Sequence, residues 1–157
     1  MTSEGQLKPV PIEASSLNEV SQLEPDGVYT VTRTFQQDHA VLLGSHLDRL
    51  QESANLEDIP VELNRKAIRA ALREMIQRAG YPDSRFRITV PRERPHEILL
   101  AVEPLQLVST ELRSTGVCVA TMPLTRRNPR AKTNDWVAQR TEAQSSLPSE
   151  VYEVISI

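Results

Sequence analysis

The chain has 157 residues, 39% hydrophobic and 25% charged, which is long enough for a compact core and too apolar for wholesale disorder. Its 18 Lys+Arg against 21 Asp+Glu give a formal net charge of −3, and aromatics are only 4%, so neither a global basic field nor a base-stacking platform for nucleic acid is present. No run approaches the roughly 20 apolar residues of a bilayer span, no basic and apolar leader opens the chain, and the single Cys118 excludes an intramolecular disulfide and a cysteine-rich zinc cage. A cytoplasmic protein with no membrane, nucleic-acid or metal partner is expected.

Residues 1–25 are rich in Ser, Glu, Pro and Gln and read as a lead-in arm. After the turn signal Asp26-Gly27, the β-branched and aromatic run Val28 to Phe35 predicts a strand. Polar residues 36–39 make a hairpin connection, and Ala40-Val41-Leu42-Leu43 predicts the returning strand. Ser45 and Asp48 fit a loose capping box, and Leu47, Leu50 and Ala54 share a helical face, so a short helix is expected over 46–55. Between Pro60 and Gly80 the stripe Leu63, Ala67, Ile68, Ala71, Leu72, Met75, Ile76 and Ala79 predicts a longer helix, closed by Gly80 and Pro82. Phe86 to Val90 and Glu97 to Val102 read as two further strands.

That order, β-β-α-α-β-β, predicts an α+β fold, a two-layer sandwich with helices on one sheet face. The expected organisation is an arm at 1–25, a small α+β domain at 26–107, a linker at 108–115 and the opening of a second domain at 116–157. In that last part a strand at 116–122, a basic loop at 125–132, a helix through Trp136, Val137 and Arg140, and a strand at 151–155 are expected.

Only Lys8, Lys66 and Lys132 could serve as an amine nucleophile. Lys132 follows Arg126, Arg127 and Arg130, whose charges would oppose another cation and lower the lysine pKa. More neutral amine is then available to attack a carbonyl carbon and form a Schiff base. A solvated basic loop in which Lys132 does nothing fits the same composition. Arg49, between Leu47 and Leu50, reads either as a bidentate fork for a phosphate or carboxylate, or as an i,i+3 partner of Glu52. His46 reads as a structural histidine at the helix start. Arg87 and Tyr29 alternate with apolar neighbours and so point to the opposite sheet face, towards a cavity or towards solvent.

Three segments carry a resemblance. Gly27-Val28-Tyr29-Thr30-Val31-Thr32-Arg33-Thr34, His46-Leu47-Asp48-Arg49-Leu50 followed by Ser53-Ala54, and Arg127-Asn128 followed by Ala131-Lys132-Thr133 and Asp135-Trp136 occur in the order and spacing of the class-IV pyridoxal-phosphate enzymes. The chain resembles that family, which holds branched-chain and D-amino-acid aminotransferases and aminodeoxychorismate lyases, from residue 26 to about 155. The resemblance implies pyridoxal 5'-phosphate as cofactor and amino acids and 2-oxo acids as substrates; a homodimer is expected because the strands holding Val117, Val119, Val151 and Val154 would have open edges. It gives Lys132 the role of the catalytic lysine that bonds the cofactor and moves the α-proton, and Arg49 that of the phosphate-binding arginine. Tyr29 matches the aromatic residue bordering the substrate pocket, and Arg87 a strand arginine that helps bind the substrate carboxylate in some branches.

The family fold is a small α+β domain and a larger barrel-like domain with the cofactor between them. Family members continue well past the lysine helix, into a glutamate that pairs with the cofactor ring nitrogen and loops that hold the phosphate. Glu142, Glu150 and Glu153 follow Lys132 too closely to take that glutamate's place. The expectation is therefore an aminotransferase-type chain truncated within its second domain, with little or no turnover alone. Lyase chemistry on aminodeoxychorismate, or a non-catalytic remnant that only binds, are the alternatives.

Overall fold

The computed structural model describes residues 7–157; the first six residues of the expected arm lie outside the described part. Within that arm a helix forms, α1 (Leu17–Leu23), which composition alone did not suggest. Its start is nevertheless written in the chain, because the Ser16 hydroxyl oxygen accepts from the Glu19 backbone N–H at 3.2 Å. Strand β1 (Gly27–Phe35) follows, then a short β2 (His39–Ala40). The expected strand over 40–43 is cut to that fragment, since β2 pairs with β1 only at Thr34 and Phe35.

Helix α2 (Leu43–Leu56) begins where the rest of that strand was expected. Leu43, Leu47 and Leu50 fall on one helical face and are all buried, and the turn starts from Leu42 in a left-handed conformation with no side-chain cap. Ser45 and Asp48 therefore lie inside the helix and make no capping box; Asp48 instead accepts from Arg65 at 2.6 Å. Helix α3 (Arg65–Ala79) starts later than its apolar stripe, capped by the Asn64 side chain, and ends at Gly80 with φ +66°.

Strands β3 (Ser84–Pro91) and β4 (Leu99–Pro104) complete an antiparallel sheet of order β2-β1-β3-β4. The linker region contains a short helix, α4 (Thr110–Thr115), rather than being free of structure. Strand β5 (Cys118–Met122), helix α5 (Asn134–Ser145) and strand β6 (Val151–Ser156) close the chain. Strands β5 and β6 pair in parallel, as a connection through a helix allows. The last strand thus pairs with the earlier β5.

Register divides the large sheet into two faces. Val28 pairs with Val90 and Thr30 with Ile88, and this face packs Val28, Phe86, Ile88 and Val90 against Leu47, Leu50, Ile68, Leu72 and Ile76 of α2 and α3. The other face carries Tyr29 opposite Thr89, Val31 opposite Arg87 and Arg33 opposite Arg85. It is polar in sequence, yet Arg87 and Thr89 are buried there. This face positions the candidate site. The architecture is a mixed α/β fold with an antiparallel sheet and helices, and the described residues form no closed barrel. No helix among them is long and apolar enough to cross a membrane.

Candidate active site

Lys132 is fixed by its backbone before its side chain does anything. Its carbonyl accepts from the Tyr29 N–H at 3.0 Å, and its own N–H donates to Ser53 Oγ at 3.2 Å. The adjacent Thr133 forms an antiparallel bridge with Val28, so the lysine segment runs along β1 where β2 does not reach. On the polar side, Lys132 Nζ stands 4.8 Å from the centre of the Tyr29 ring. Upstream, Asn128 Nδ2 donates to Glu57 at 3.1 Å, and Arg92 ties the same Glu57 to Asp26. Both sides of the lysine loop are thereby anchored to the first sheet and to α2.

Helical spacing brings Arg49 to the same place. His46, Arg49 and Ser53 are three and four residues apart, so the side of α2 that receives the lysine backbone also presents Arg49. Glu52 does not pair with Arg49; it pairs with Arg130. His46 does act structurally: its Nδ1 hydrogen-bonds Thr30 Oγ1 at 2.8 Å. Burial, with Lys132 and Arg49 nearby, lowers its pKa below the ordinary histidine value.

Arg87 sits deeper. Its Nε donates to Glu24 at 2.7 Å and to Thr89 at 3.2 Å, while one Nη donates to Asn134 Oδ1 at 2.6 Å. The guanidinium carbon lies 3.7 Å from the centre of the Tyr29 ring. Glu24 and Arg87 are both buried, so each charge depends on the other. The carboxylate-binding role implied for Arg87 therefore meets an arginine already engaged by a carboxylate of its own. Glu24 and Asn134 were not singled out from the sequence; they reach Arg87 from 63 and 47 residues away, and no local spacing signals either contact.

These groups surround a cavity of about 390 Å³ on the polar sheet face. Its lining includes Tyr29, Lys132, Trp136 and the guanidinium groups of Arg49, Arg85, Arg87, Arg126, Arg130 and Arg140, and no described carboxylate. A space of that size with so much positive charge suits a small anionic molecule. The Lys132 amine is lowered from 10.5 to about 8, first by burial and then by Arg49, Arg87, Arg140 and Arg85. These four, rather than the sequence neighbours Arg126, Arg127 and Arg130 from which the effect was expected, are the leading charged causes. The direction was legible and the agents were not. Among the described residues no group of His, Cys, Asp and Glu is placed to hold a metal ion.

Solved structures share this fold. A hypothetical aminotransferase from Mycobacterium tuberculosis superposes with a TM-score of 0.69 at 22% identity, over 99% of this chain and 60% of its own. The same protein is also known in a PLP-bound form and in a form with alpha-ketoglutarate and PMP. A Thermotoga maritima protein described as a branched-chain amino acid aminotransferase gives 0.62 at 19% identity, covering 93% of this chain and 52% of its own. A protein described as a 4-amino-4-deoxychorismate lyase gives 0.59 at 19% identity, covering 90% and 57%. This chain thus spans little more than half of each of these structures, and their likeness concerns the fold. A search of curated proteins returns no significant match. The family profile "Amino-transferase class IV" matches residues 27–157, the stretch that holds the sheet, Arg49 and the Lys132 loop, and the chain belongs to the class IV aminotransferase family.

Proposed function

We propose that the cavity takes pyridoxal phosphate on Lys132 and serves amino-group transfer between an amino acid and a 2-oxo acid. The carrying observation is the Lys132 amine itself, with its pKa pushed down to about 8 in a cavity lined by guanidinium groups. An aldehyde needs a neutral amine as its partner, and a phosphate needs cations; the residues present fit both demands. When bound, the cofactor supplies an electron sink for the substrate's α-carbon.

Each side chain then has a task. Arg49 holds the phosphate, since it lines the cavity and has no described carboxylate partner. Lys132 Nζ, mostly withdrawn from water, accepts and returns a proton near neutral pH. Tyr29 forms the wall beside it, and Arg87 positions that ring rather than receiving substrate. The chain's two parts, residues 26–107 and 116–157 joined by 108–115, contribute the sheet face and the lysine respectively.

No described carboxylate lines the cavity to keep a ring nitrogen protonated, so the expected transfer by this chain is slower by about 10²–10³, the usual effect of losing one preorganised electrostatic partner. The experiment is a single turnover: protein loaded with pyridoxal phosphate is incubated for hours with L- and D-amino acids, and pyridoxamine phosphate is measured by chromatography. Slow formation that disappears in Lys132→Ala supports the reading. Pyruvate released from aminodeoxychorismate moves the assignment to a lyase, and a chain that captures no cofactor is a binding protein only.

A further inference from the structure

The guanidinium groups around the cavity are not equivalent. Arg87 is engaged by Glu24 at 2.7 Å and Arg85 by Glu103 at 3.1 Å, while Arg130 faces Glu52 and Arg140 faces Glu153. Arg49 and Arg126 line the same cavity, and no described carboxylate pairs with either. Arg126 is held in place all the same. Its guanidinium carbon lies 4.2 Å from the centre of the Trp136 ring, and Trp136 is buried at the start of α5.

Stacking on an indole fixes the plane of a guanidinium and leaves its edge N–H donors free to meet a carboxylate as a fork. A cavity with one lysine amine and two uncompensated guanidinium groups suits two separate anionic groups. The phosphate claims one of them. We propose that Arg126 receives the carboxylate of the amino acid or 2-oxo acid, leaving Arg49 to the cofactor phosphate. This rests on reading the cavity as an aminotransferase site, and it moves carboxylate recognition from Arg87, which Glu24 already satisfies, to the loop preceding Lys132.

Trp136 is the single tryptophan, so its emission reports on Arg126 directly. Sodium 2-oxoisovalerate is titrated into the unmodified chain and into R126Q, R126K and R33Q, with Arg33 an exposed residue outside the cavity lining. Capture of pyridoxal phosphate at Lys132 is measured separately by borohydride reduction and mass spectrometry. R126Q is expected to raise the 2-oxo acid midpoint about ten-fold or more, the effect of losing a hydrogen bond to a charged group. R126K is expected to recover part of it, and R33Q to match the unaltered chain. Pyridoxal phosphate capture should fall less in R126Q than its 2-oxo acid binding does, because Arg49 keeps the phosphate. Equal midpoints for R126Q and the unaltered chain overturn the proposal, as does an unaltered chain whose emission ignores the 2-oxo acid. R126Q that loses cofactor capture while keeping the 2-oxo acid midpoint overturns it too. If the unaltered chain captures no cofactor, the proposed function fails by itself, because the 2-oxo acid titration requires no capture.

Discussion

The amine of Lys132 is largely out of water and feels Arg49, Arg87, Arg140 and Arg85, so it holds its proton weakly. Its modification by an aldehyde should therefore rise through a pH of about 8. Stability should respond in the same window. Below pH 8 the amine is protonated folded and unfolded, and the folded state bears the full cost of burying it. Between pH 8 and 10.5 the unfolded chain binds the proton that the folded chain has released, so stability climbs with pH. Chemical denaturation across that range, compared with Lys132→Met, checks this; the same slope in both proteins would refute it. For Arg49, the expected outcome is that Arg49→Ala weakens pyridoxal phosphate binding by roughly 1.5–3 kcal/mol, the worth of a charge-assisted contact. Arg33→Ala, an exposed change outside the cavity, should have little effect, and superimposable titrations of the two variants would remove Arg49 from the site.

At the scale of elements, the entry of β1 sets the height of the whole site. A Cβ built on Gly27 would collide with the Val90 carbonyl oxygen, so the strand pair closes there only around glycine. Two residues on, Tyr29 holds the Lys132 carbonyl. Gly27→Ala should lower stability by about 1–3 kcal/mol, the range for overpacking, and slow lysine capture with it. Urea melts and capture rates of the variant decide this; an unchanged midpoint would show that the strands part without cost. The long helix was readable because Ile68, Leu72 and Ile76 repeat at helical spacing and Gly80 ends them. Helix α1 was not, since it buries only Leu17 and Ser21 and leaves no apolar stripe to see. The region around Leu43 misled for a related reason: a short apolar run fits strand and helix alike, and only burial with Leu47 and Leu50 decides. The site divides in the same way. Lys132 and Arg49 stood in recognisable segments, whereas Glu24, Asn134 and the Arg126–Trp136 stack arise from folding and have no local signature.

The molecule as a whole is sharply uneven. Against the four-stranded sheet Val28, Phe86, Ile88 and Val90 are enclosed, while the β5–β6 pair exposes Val119, Tyr152 and Ile155, and Leu107 and Val117 of the preceding segment are exposed too. A two-stranded sheet with open edges and uncovered apolar residues recruits other chains. Light scattering at micromolar concentration should show a dimer or larger species, and a monodisperse monomer would contradict that. The cavity lies against the four-stranded sheet, and its described lining includes Lys132. Its lysine is the point on which the rest turns. The decisive measurement is to incubate the protein with pyridoxal phosphate near pH 8, reduce with borohydride, and map the modified peptide by mass spectrometry. The expected result is one phosphopyridoxyl group on Lys132 and none on Lys8 or Lys66, with the labelling reduced when Arg49 is replaced by alanine. Equal labelling of all three lysines, or none on Lys132, would show that the cavity does not select the cofactor and would contradict the proposed site.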